Sequence, residues 1–147
     1  MISLPNRDFL EAKIEDFIIS SEKVAHVQIG NSAEHALLVL TKTGYSAIPV
    51  LDLKYRFRGL INAQRITDAI LGLDHIEYER LPDLKVEDIM ETDMPLIRPD
   101  DRFQKALDLL IDQNFLCVVD DAGMFTGILT RRVMLKQLKK RLYQLHD

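Results

Sequence analysis

Apolar positions along the chain fall into two families of spacing, and the families occur twice in the same order. Ala33, Ala36, Leu37 and Leu40 stand at intervals of 0, 3, 4 and 7, which places them on one face of a helix; Phe103, Ala106, Leu107 and Leu110 repeat those intervals seventy residues later. Short polar residues that accept hydrogen bonds from free N–H groups precede each run, Asn31-Ser32 in one and Asp100-Asp101 in the other, and predict where the helices start. Before each helix lies a strand-like stretch, Val24–Ile29 and Met94–Arg98, the latter with Pro95 at its start, where a missing N–H is tolerated. After each come a polar or glycine stop, Thr43-Gly44 or Gln113-Asn114, and an apolar β-type run, Tyr45–Leu51 or Phe115–Val119. A hairpin follows. Asp120-Asp121-Ala122-Gly123 predicts a tight turn into Phe125–Leu129, whereas the first copy has a longer turn, Asp52–Arg58, into Gly59-Leu60-Ile61. Closing helices carry Ile66, Ile70 and Leu73 on one face, and Leu135, Leu138, Leu142 and Leu145 on the other copy's buried face.

Each copy therefore reads strand, helix, strand, strand, helix. The boundaries are 1–80, with an N-terminal helical segment, and 81–147, with Arg80-Leu81-Pro82-Asp83 as connector. A unit of about 60–70 residues buries little surface alone, so the expected fold is α/β, two repeats packed as one pseudo-twofold module.

Composition narrows the function more than the fold. The 147 residues hold 19 basic and 23 acidic side chains, a net charge of −4, which excludes a chain that coats nucleic acid through its overall field. The single Cys117 forms no internal disulfide, and Met1–Asp8 lacks the basic-then-apolar build of a secretory leader, so a cytoplasmic protein is expected. No apolar run approaches the roughly 20 residues of a membrane span. His26, His35, His75 and His146 show no metal-ligand spacing, and nucleophile elbows and glycine-rich phosphate loops are missing, which argues against an enzyme and against a metal site. The C-terminal segment carries Arg131, Arg132, Lys136, Lys139, Lys140 and Arg141; a buried leucine stripe makes these an exposed polar face rather than a membrane anchor.

The second copy, with Val86-Glu87-Asp88-Ile89-Met90, Leu96–Asp101, Ala106-Leu107, Asp120–Gly123 and Gly127–Thr130, resembles the CBS motif; the first copy keeps Ala36-Leu37, Gly44–Val50, Asp52 and Gly59–Asn62. The resemblance spans residues 15–141 and is that of a stand-alone CBS pair. It implies a regulator that binds adenine nucleotides in a cleft between repeats, dimerises into a disc and, lacking an attached domain, acts on a separate protein. It further implies a base slot built from backbone near Lys23, Ala25 and Val27 and from Tyr45, Ser46, Ala47, Ile48 and Pro49. Thr130, Arg131 and Arg132, at a helix start, would face phosphate, with Lys23 as a further cation. The family's ribose-binding Asp is absent: Val133 and Arg65 stand in its two positions. Copy two lacks the slot's Ser and Pro, so one working cleft is expected. Some bacterial CBS pairs are cyclic di-AMP receptors, and that ligand suits a Tyr slot with an Arg pair; an AMP or ATP energy sensor and a ligand-free dimerisation adaptor are the alternatives.

Overall fold

The computed structural model describes residues 4–145; Met1–Ser3 and His146, on which the leader and histidine readings partly rested, lie outside the described residues, as does the side chain of Leu145. In chain order the elements are α1 (Leu4–Glu11), β1 (Ile19–Ser20), β2 (Val27–Gln28), α2 (Ala33–Thr43), β3 (Ile48–Leu51), β4 (Phe57–Ile61), α3 (Ala63–Ile70), α4 (Val86–Ile89), β5 (Leu96–Ile97), α5 (Phe103–Leu110), β6 (Phe115–Val119), β7 (Phe125–Thr130) and α6 (Arg131–Leu145). The expected order recurs in β2-α2-β3-β4-α3 and β5-α5-β6-β7-α6. Both sheets share one plan, in which a parallel pair (Val27 opposite Val50, Leu96 opposite Cys117) adjoins an antiparallel hairpin. Strand β1 adds a fourth member beside β7. Several strands are shorter than the apolar runs predicted: β2 begins at Val27 rather than Val24, β3 at Ile48 rather than Tyr45, and β5 holds Leu96 and Ile97 alone.

Two compact units result, residues 25–94 and residues 1–24 with 95–147. They are not the sequence halves 1–80 and 81–147, because the segment leading into each repeat docks on the other one. Phe103 at the start of α5 donates its N–H to the Ala12 carbonyl at 2.8 Å, and Ile14 donates back to Asp101 at 3.0 Å. In the other unit Ala33 at the start of α2 donates to Leu84 at 2.7 Å, and Val86 donates to Asn31 at 3.0 Å. Neighbouring contacts extend the exchange: Phe9 packs on Phe103 with ring centres 4.4 Å apart, and Leu60 and Glu91 exchange two backbone hydrogen bonds. These bonds satisfy helix-start N–H groups that otherwise need a side-chain cap. Ser32 still caps α2, accepting from the His35 N–H at 3.1 Å. Asp100 and Asp101 do not cap α5; Arg102 occupies the cap position, and the Asp101 carboxylate instead takes the Arg98 N–H and the Lys105 ammonium.

Each unit has its own core. Ala33, Ala36 and Leu40 of α2 bury against Ile48, Val50 and Ile66, while Phe103, Ala106 and Leu110 of α5 bury against Ile14, Leu116 and Met134. The stripe predicted for the last helix is displaced by one position. Met134 is buried and Leu138 partly so, but Leu135 and Leu142 are 57% and 60% exposed, because the row 134, 138, 141 turns toward the core. The hairpin turns also differ from expectation, being the same in both copies. Asp52 accepts the Lys54 and Arg56 N–H groups at 2.9 Å each, and Asp120 accepts those of Ala122 and Met124 at 2.9 Å each. The third residue past the Asp is left-handed in both, Gly123 with φ 81° and Tyr55 with φ 65°. For tyrosine that conformation costs about 1–2 kcal/mol.

Gly127, with φ 154°, lets β1 close on β7: a Cβ there would collide with the Ile19 carbonyl oxygen and stand 2.7 Å from Ile18 Cγ2. Gly127→Ala is expected to cost about 3 kcal/mol in urea unfolding, against about 1–2 kcal/mol for Gly123→Ala, where only the backbone objects. Equal losses would show that β1 does not seat closely.

Candidate functional site

In the 25–94 unit the slot residues are placed by the end of α2. Gly44 turns left-handed (φ 71°) and donates to the Leu40 carbonyl at 2.9 Å, which stops the helix and directs the chain outward. Tyr45, whose N–H reaches the Thr43 hydroxyl at 3.3 Å, is 48% exposed, and Ser46 is exposed beside it. Neither lies in the sheet as the apolar run had predicted. A tyrosine ring that is half exposed and stands outside the strands can stack on a flat ligand. Ala47 is half-buried, and Ile48 and Pro49 are buried at the start of β3.

Pro49 has a specific consequence. It sits inside β3 opposite Leu60, not at an irregular strand end. Leu60 spends its N–H and carbonyl on Glu91, so the main-chain polar groups of position 49 face β2. The register pairs Val27 with Val50 and sends the Ile29 N–H to the Leu51 carbonyl at 2.9 Å; one step earlier it calls for an N–H at position 49 to reach the carbonyl of Ala25. Proline has none. The ladder therefore starts at Val27 and leaves the Ala25 carbonyl outside it. Val27 itself, 1% exposed, is core, and Ala25 is half-buried against that core. What these two offer a ligand is main chain.

The remaining predicted residues belong to the other unit. Thr130 ends β7, and its hydroxyl accepts the Val133 N–H at 3.1 Å as the cap of α6. The Arg131 guanidinium is anchored on main chain. Its Nε donates to the Leu110 carbonyl at 3.0 Å and its Nη2 to Gln113 at 3.0 Å and Ile111 at 3.3 Å, closing the end of α5. A cation there complements the negative helix end, which accounts for a basic residue in the first turn of α6. Arg65 does the equivalent work in its own unit, donating to the Ile89 carbonyl at 2.8 Å and to Met90 at 3.4 Å, past the end of α4. Arg132 is exposed. Lys23 is exposed too, but Ile19 opposite Ile128 and Ser20 opposite Gly127 carry the turn Ser21–Lys23 toward the start of β7, away from Thr130. Lys23 is thus not a neighbour of Arg131 and Arg132.

Sequence reasoning passed over one pair. His26, between Ala25 and Val27, meets the ring of Tyr55 edge-on at 5.4 Å. The signal available was the alignment of Tyr55 with Gly123 once both turns are seen to be alike. Charge in this unit is held at Asp52, whose carboxyl lies below the usual range because the Arg56 and Lys54 N–H groups and the Arg56 guanidinium, 2.9 Å away, all bond to its ionised form. Burial pushes the Cys117 thiol up to about 12, which removes it as a nucleophile near neutral pH. Asp74 and Glu79 raise His75. Among the described residues no cluster of His, Cys, Asp and Glu is arranged for a metal ion, and no helix is long and apolar enough to cross a membrane.

Comparison with known proteins bears directly on these features. The chain is 50% identical over 146 residues, 99% of either chain, to the cyclic di-AMP receptor B of Bacillus subtilis (strain 168). The solved CbpB protein of Listeria monocytogenes in complex with c-di-AMP is 57% identical, with a TM-score of 0.83 over 89% of this chain and 98% of that one. A CBS domain-containing protein from Bacillus anthracis is 56% identical, with a TM-score of 0.85 over 92% and 99%. The CBS domain model matches residues 14–72 and again 86–140, coinciding with the two α/β repeats built above, and the chain belongs to the CBS domain family.

Proposed function

We propose that this protein is a receptor for cyclic di-AMP that carries no catalytic activity and acts on a separate protein. The observation that carries the reading is the 50% identity, end to end, to a protein named for that function, supported by the c-di-AMP complex of a 57% identical relative. The exposed Tyr45 ring and Ser46 hydroxyl take one adenine, and the main chain at Ala25 reads its edge. Arg132 supplies charge to a phosphate, and Thr130 and Arg131 hold the α6 start on which it stands. Binding favours one arrangement of the protein, and a partner preferring another arrangement is released. A cytoplasmic location is part of the same proposal. A homodimer is supported by exposed apolar side chains: Ile111, just past α5, and Leu135 of α6 border a groove of about 280 Å³, and Leu142 is exposed further along α6.

Thermal unfolding of nucleotide-free protein tests the ligand. Cyclic di-AMP at a hundred times its Kd adds about 2.7 kcal/mol, a rise of roughly 5–10 °C for a chain of this length. A shift with AMP or ATP and none with cyclic di-AMP would replace the reading with an energy sensor, and no shift with any of the three would favour an adaptor. The two arginines separate cleanly. Arg132→Met is expected to weaken binding by about 1.5–3 kcal/mol with the apo midpoint unchanged, whereas Arg131→Met lowers the apo midpoint by freeing the end of α5. Leu135→Glu is expected to convert the dimer to monomer in sedimentation equilibrium; a dimer that survives it uses another face.

A further inference from the structure

The two hairpin turns are built alike yet filled differently. In the second repeat the left-handed position is Gly123, which adopts φ 81° without strain; in the first it is Tyr55, with φ 65°, the only non-glycine residue with positive φ among those described. The strain is therefore not a requirement of the turn, since the same Asp-anchored hydrogen bonds form around a glycine 68 positions later. What the tyrosine adds is its ring. It folds back from the far end of β3 and meets His26 edge-on at 5.4 Å. His26 shares a peptide group with Ala25, and that peptide lies just before the point where Pro49 ends the β2–β3 ladder.

We infer that Tyr55 is a positioning residue for nucleotide recognition: through His26 it sets the orientation of the Ala25–His26 peptide, whose carbonyl the ladder does not hold. The inference rests on the cyclic di-AMP reading for its ligand, but the device itself exists in the free protein. Strain retained in one copy only, beside the slot that only that copy possesses, is the pattern expected when backbone geometry is set for a ligand. The second repeat has Phe115–Val119 without the proline, so its ladder has no such gap to support, and glycine suffices.

The experiment compares Tyr55→Gly, Tyr55→Phe and His26→Ala with the wild type in cyclic di-AMP affinity, apo melting midpoint and amide exchange of the free protein. Tyr55→Gly relaxes the backbone and removes the ring; it is expected to leave the midpoint within a few degrees of wild type and to weaken binding by about three- to tenfold, the range of one lost aromatic contact. His26→Ala, which leaves the turn untouched, should reproduce the loss, and Tyr55→Phe should bind as wild type does. Exchange of the His26 and Val27 amides should quicken in Tyr55→Gly without ligand. Undiminished affinity in Tyr55→Gly, or unchanged exchange at those amides, overturns the inference. Failure of the wild type to bind cyclic di-AMP refutes the ligand assignment instead, and the exchange measurement still decides whether the ring sets the peptide.

Discussion

Four main-chain hydrogen bonds hold the architecture in register: Phe103 to Ala12, Ile14 to Asp101, Ala33 to Leu84 and Val86 to Asn31. They join each repeat's first helix to the segment that introduces the other repeat. A helix start leaves N–H groups without partners, and in an α/β unit of this size a side-chain cap supplies one of them at most. Here the crossing segment supplies a carbonyl and brings apolar residues with it, Ile14 at 0% exposure to one core and Val86 at 0% to the other. The same segments continue to the open side of each hairpin, as β1 beside β7 and as Glu91 beside Leu60. Gly127 and Gly59 are the positions of closest approach, where a Cβ would meet main chain. The exchange thereby braces both hairpins, and with them Pro49 and Thr130 of the candidate site.

Within that common frame the copies differ in local structure through single residues. Pro49 removes one ladder donor and releases a carbonyl, while position 117 in the other copy is a buried cysteine in unbroken strand. Gly44 ends α2 in a left-handed turn that exposes Tyr45 and Ser46; α5 ends instead under the guanidinium of Arg131. The end of α2 is thus left uncovered, and its counterpart is closed by an arginine side chain.

The repeat order, both sheets and most of the core were legible in the sequence, because burial of a helix face or strand imposes spacings that survive in the residues. Gly44 as a helix stop and Ser32 as a cap were legible for the same reason, each being the residue its local geometry favours. What escaped were choices made by tertiary partners. Asp101 has the chemistry of a cap, yet a distant carbonyl already serves the helix. Arg131 bonds three carbonyls around the end of α5, contacts that no local spacing announces. Leu135 and Leu138 both fit a helical stripe, and only packing against α5 determines which one is covered. The strand limits were overrun wherever apolar residues continue past the last ladder bond, as at Tyr45 and Val24.

The exchange of leading segments also orders events in time. Residues 25–94 are contiguous, so this unit has all its parts as soon as Met94 has been synthesised. Residues 4–24 do not: their partners, from Asp101 to Arg141, are synthesised after that unit, and closing the loop carries the entropic cost of the whole intervening unit. A segment made before residues 25–94 is therefore completed after them. While it waits, Phe9, Ile14 and Phe17 have no core to enter, and this apolar stretch is available to a chaperone.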